Sequence, residues 1–72
     1  MVDEFVRNKI LRSQGNVLTQ NEVYEKYLKF CSEENEKAES KIWFGRKMSI
    51  FGYSSKQISK NERIYVGFVV IT

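Results

Sequence analysis

The chain has no histidine and no proline, a single cysteine and only four glycines among its 72 residues. Without histidine there is no zinc-ligand pattern, and Cys31 alone cannot close an intrachain disulfide. A reducing compartment, the cytoplasm, is the expected location. The longest apolar run, Tyr65 to Ile71, falls far short of the roughly 20 residues of a spanning helix, and no leader pattern is visible, so a soluble protein with no membrane partner is expected. A glycine-rich phosphate loop is missing, as is a pair of carboxylates in an apolar setting. The chain therefore reads as a non-enzyme, with no catalytic residues, no metal and no cofactor. With no proline, no internal repeat and no low-complexity tract, residues 1–72 read as a single domain.

Aromatic side chains are well supplied: five phenylalanines, four tyrosines and Trp43. A domain of this size buries only about 60% of the surface its unfolded chain exposes, and aromatics at roughly 150 to 250 Å² each compensate for a thin core. Charge is divided along the chain. Residues 1–39 carry six basic against eight acidic side chains, a net charge of −2, while residues 40–72 carry six basic against Glu62 alone, a net charge of +5. Phosphate binding depends on the local patch more than on the total, so the second half is where a nucleic-acid face is expected.

Helical spacing of Val2, Phe5, Val6 and Ile10 predicts a first helix over about residues 4–13, capped by Asp3 and stopped by Gly15. Asn16-Val17-Leu18 follows as a short extended link with room for a single bridge of β pairing. Thr19-Gln20-Asn21-Glu22 is a capping box that starts a second helix over about residues 20–33, with Val23, Tyr24, Tyr27, Leu28 and Cys31 as its apolar stripe. On that stripe Cys31 reads as a small buried hydrophobe rather than a reactive thiol. SEENEKAES, residues 32–40, is a solvated loop.

Ser40 caps a third helix and Gly52 ends it. At about 100° per residue, Phe44, Met48 and Phe51 share the core stripe, Ile42, Arg46 and Ser49 lie opposite, and Trp43, Lys47 and Ile50 form a flank between them. Gly45 inside this helix costs about 1 kcal/mol relative to alanine and points to close packing by the second helix. Beyond Tyr53 the period changes to two: 55–59 and 62–71 form a hairpin around Lys60-Asn61, with Ile64, Val66, Phe68 and Val70 on one face and Arg63, Tyr65, Gly67 and Val69 on the other. Gly67 reads as a bulge or a close backbone approach.

Three helices and a two-stranded C-terminal hairpin, with basic residues on the third helix and hairpin, give the α+β layout of a winged helix-turn-helix, residues 16–18 being the candidate for a short third strand. The expected partner is double-stranded DNA, since helix insertion needs a groove. Lys41, Ile42, Arg46 and Ser49 are the candidate contacts on the recognition helix, with Lys47 grazing phosphate; Lys56, Lys60, Asn61 and Arg63 are the candidates on the wing. Arg46 suits a bidentate guanine contact and Ile42 a thymine methyl.

Phe5, Tyr24-Glu25-Lys26-Tyr27-Leu28-Lys29-Phe30-Cys31, Ser40 with Phe44-Gly45-Arg46-Lys47-Met48, Gly52-Tyr53 and Arg63-x-Tyr65-x-Gly67-Phe68 together resemble the C-terminal domain of phage, plasmid and poxvirus-type primase-helicases. The similarity spans nearly the whole chain, and its specificity lies in the order and spacing of the pieces. It implies a replication protein of a phage or mobile element, with this module following a helicase domain in the same parent protein or standing alone as a short relative. Ile42-Trp43 is bulkier than the mostly polar residues of that family at this place.

Two other classes fit the same residues. A protein-docking module for a helicase, loader or inhibitor would use Trp43, Ile42 and Ile50 as an apolar anchor. A small repressor-like regulator would share the DNA face and need a dimer surface, whereas an isolated winged helix is expected to be a monomer.

Overall fold

A computed structural model describes residues 1–71 of the chain. Its elements are α1 (Val2–Lys9), β1 (Ile10–Thr19), α2 (Gln20–Glu33), α3 (Lys41–Ile50), β2 (Lys56–Ser59) and β3 (Glu62–Val70). The fold is α+β, three helices and one antiparallel sheet of order β1-β3-β2. Among the described residues no helix is long and apolar enough to cross a membrane.

The first twenty residues differ most from the sequence reading. α1 ends at Lys9 rather than near residue 13, and Asp3 lies inside its first turn instead of capping it. Ile10 turns the chain to extended backbone at φ −105° and ψ 129°. From there Ile10, Leu11 and Arg12 face Val70, Val69 and Phe68, and Val17, Leu18 and Thr19 face Val66, Tyr65 and Ile64. The expected link with one bridge over 16–18 is thus the end of a ten-residue strand. Pairing with a distant strand overrides the helical spacing of Ile10, which suits either conformation. Gly15 stops no helix: it sits in the irregular stretch between Arg12 and Val17 where the register shifts, and the Asn16 side-chain amide donates a 2.8 Å bond to the Phe68 carbonyl across that break.

A matching irregularity in β3 corrects the expected alternation of its faces. Tyr65 and Phe68 are both buried although three residues apart, while Val66 is exposed. Gly67 at φ +102° lies between them, opposite the four residues of β1 between Arg12 and Val17, and its left-handed backbone breaks the two-residue alternation of the strand. Val17 and Val66, paired across the sheet, are left on its outer face.

α2 starts as the capping box demands, with the Thr19 hydroxyl accepting from the Glu22 amide at 3.1 Å. The Glu22 carboxylate reaches the same hydroxyl, 3.1 Å away, rather than the backbone amide of Thr19. Ser40 caps α3 by accepting from the Trp43 amide at 3.4 Å. Gly52, at φ +94°, ends it with the Gly52 and Tyr53 amides donating to the carbonyls of Ser49 and Met48.

The core joins Val2 and Phe5 of α1, Val23, Tyr27, Phe30 and Cys31 of α2, Phe44 and Met48 of α3, and Tyr65 and Phe68 of β3. Tyr27 stacks on Phe44 with ring centroids 4.6 Å apart, and Phe5 meets Tyr27 edge-on at 5.5 Å. Val6, Ile10 and Tyr24 pack half-buried against it, and two other expected members are exposed. Leu28 is exposed and its place is taken by Phe30, which packs on Phe5; Phe51 is exposed because α3 has ended at Ile50 and the chain no longer follows the helical stripe.

Candidate nucleic-acid interface

The outer side of α3, the loop that follows it and the start of β3 enclose an open groove of about 530 Å³. Lys41, Ile42, Gly45, Arg46 and Ser49 line it from α3, Ser54 and Ser55 from the loop, Arg63 from β3 and Gln20 from the start of α2. Its three charged side chains are all cationic.

Local structure explains the placement. Burying Phe44 and Met48 turns the opposite side of α3, with Ile42, Arg46 and Ser49, away from the core. Gly45 admits the first residue of α2, for a methyl group there would stand 3.1 Å from the Gln20 side-chain nitrogen. The Gln20 amide in turn donates to the Tyr65 hydroxyl at 3.4 Å, tying the floor of the groove to β3. Burial holds the Tyr65 phenol above its usual pKa, so it stays a neutral hydroxyl.

Each cation is held differently. Arg63 donates from Nε to the Ser55 hydroxyl at 2.7 Å and from Nη2 to the Ser55 carbonyl at 3.3 Å, which fixes the loop against the strand. Lys41 donates to the Asn21 side-chain carbonyl. Arg46 lies over the Trp43 ring, its guanidinium carbon 5.2 Å from the centroid. Among the described residues none of the three forms an ion pair with a carboxylate. Ser49 and Ser54 share a 3.0 Å hydroxyl–hydroxyl hydrogen bond beside them.

Of the nine residues singled out from sequence, Lys41, Ile42, Arg46, Ser49 and Arg63 come together in this groove. Lys47 does not: its ammonium is 3.0 Å from the Glu39 carboxylate, so it is a paired cation rather than a free one. Lys56, Lys60 and Asn61 are exposed along the hairpin and outside the groove lining. The Gln57 side chain pins the turn that carries Lys60 and Asn61 by donating to the Ser59 and Lys60 carbonyls at 3.1 and 3.3 Å. Sequence reading missed Gln20, Ser54 and Ser55. Only Gly45 hinted at them, as a helix position that another element must approach.

Cations, hydroxyls and an amide around an open groove supply positive charge and hydrogen-bond donors, the groups that can hold an anion. No protein-family model, no curated protein and no solved structure matches the chain.

Proposed function

We propose that the chain is a winged-helix DNA-binding module, with α3 as the recognition helix and the β2–β3 hairpin as the wing, serving the replication protein of a phage or mobile element. The observation that carries this reading is the groove between α3 and the hairpin, where Lys41, Arg46 and Arg63 meet with no carboxylate among the lining residues. The order of elements supports it too: helix, strand, helix, helix and hairpin, with the early strand paired to β3. In this reading α3 enters the major groove of a duplex, and the exposed Lys56 and Lys60 reach flanking phosphates. The resemblance to primase-helicase C-terminal domains adds the setting, in which the module engages the origin or template duplex next to a helicase domain.

A second reading, a docking module, draws on the exposure of Ile42, Trp43 and Ile50, at 72%, 53% and 79%. The two separate in one experiment. Fluorescence anisotropy with a labelled mixed-sequence duplex at two salt concentrations should show weak binding that falls steeply with salt. No binding even at low salt, or binding indifferent to salt, would favour docking instead.

A further inference from the structure

Arg46 and Trp43 lie three residues apart on the exposed side of α3, with the guanidinium over the indole ring. A cation within about 6 Å of a tryptophan ring centroid is attracted by the ring's quadrupole. A guanidinium carries five N–H donors, and Arg46 forms no ion pair with a carboxylate among the described residues, so donors remain for a further partner. Arg46 is also one of the residues that line the groove. A planar fork restrained by a neighbouring ring suits a target that presents two acceptors side by side.

Two such targets occur on DNA, a phosphate and the O6/N7 edge of guanine. Ile42 decides between them. It stands one turn before Arg46, lines the same groove and is 72% exposed. An aliphatic side chain gains nothing against phosphate, whereas it fits the apolar methyl that thymine shows in the major groove. The neighbouring Ile42 and Arg46 side chains therefore suit base edges, with a guanine and a thymine at adjacent positions.

Building on the DNA-binding reading above, we infer that Trp43 is a positioning residue, which holds the Arg46 fork for a guanine and so sets the sequence preference of the module without itself touching DNA. This assigns a role to the large exposed aromatic that a plain phosphate-binding face does not need.

The test begins with selection of preferred sites from a randomised duplex by the parent protein. Affinities are then measured for the selected duplex and for the same duplex with its enriched G·C pair changed to A·T. Trp43→Leu, Trp43→Phe, Arg46→Lys and the double variant Trp43→Leu/Arg46→Lys are compared with the parent, and melting curves verify that each is folded, as expected for exposed positions. Trp43→Leu should lower the preference for the G·C duplex about two- to fivefold, the factor a surface cation–π contact supplies. Its affinity for the A·T duplex should stay at the parent's value. Trp43→Phe should retain most of the preference, Arg46→Lys should lose it, and the double variant should lose no more than Arg46→Lys alone. If Trp43→Leu weakens both duplexes alike, Trp43 meets DNA directly and the proposal fails; if it leaves the preference unchanged, the stacking has no part in recognition and the proposal fails too. Failure of the DNA-binding reading itself looks different, since the parent would then bind no duplex and select no site.

Discussion

The backbone amide of Glu39 donates a 2.9 Å hydrogen bond to the phenol oxygen of Tyr27. Its carbonyl accepts one from the Tyr24 hydroxyl at 2.8 Å, so two tyrosines of α2 grip the residue just before the cap of α3. The position of α3, and with it the groove, depends on this grip. It also predicts behaviour at high pH. Burial pushes the Tyr27 phenol from 10.0 up to about 12, with the hydrogen bond from the Glu39 amide pulling the other way. Below pH 10 both folded and unfolded chains hold that proton; between pH 10 and 12 the unfolded chain releases it first, so folding loses stability as pH rises through this window. Melting temperature should fall across this range, and Tyr27→Phe, which has no proton to lose, should show a shallower fall. Parallel curves for the two proteins would mean Tyr27 is not the group responsible.

Phe44 touches Phe5, Tyr24 and Tyr27 and is completely buried, so Phe44→Ala should cost roughly 3 to 5 kcal/mol, comparable to the whole stability of a small domain. Thermal denaturation followed by circular dichroism should find the variant largely unfolded. A melt within a few degrees of the parent would displace Phe44 from the centre of the core.

Gly45→Ala separates backbone preference from packing. Alanine is favoured over glycine within a helix by about 1 kcal/mol. The new methyl would meet only the far end of the Gln20 side chain, at 3.1 Å. That amide can swing aside at the loss of its long bond to Tyr65. The variant should therefore melt slightly above the parent; a clear drop would show that Gln20 is held in place.

Lys47 and Glu39 form a half-exposed pair, of a kind worth about 0 to 1 kcal/mol. Lys47→Ala should leave duplex affinity within about twofold of the parent, while Glu39→Gln releases the lysine and should raise affinity at low salt. Loss of binding in Lys47→Ala equal to that of Arg46→Ala would return Lys47 to the DNA face.

What could be read from the sequence follows from how local each signal is. α2 and α3 announce themselves because Thr19 with Glu22, Ser40 and Gly52 are caps and stops that act within a few residues. The outward side of α3 follows from the period alone, which is why Ile42, Arg46 and Ser49, which the structure sets along the groove, were legible as outward-facing residues. β1 was not, because nothing near Ile10 or Leu11 says that Val70 and Val69 will lie opposite. The burial of both Tyr65 and Phe68 depends on the left-handed turn at Gly67, and a glycine in a strand marks a bulge without telling which way the next residue points. Gln20, Ser54 and Ser55 reach the groove only through tertiary packing, and the capture of Lys47 by Glu39 requires the loop that Tyr24 and Tyr27 fasten.

The most direct test of the DNA-binding claim is the salt dependence of duplex affinity for the parent, Arg46→Ala and Lys60→Ala. Arg46 lines the groove and Lys60 stands at the hairpin tip, so the two should fail differently. Arg46→Ala should cost about 1 to 3 kcal/mol on a preferred site and less on others. Lys60→Ala should weaken all duplexes about equally and reduce the slope of log affinity against log salt by about one. If both variants are folded and match the parent on every duplex at every salt concentration, α3 and the hairpin are not a nucleic-acid face, and the account is contradicted.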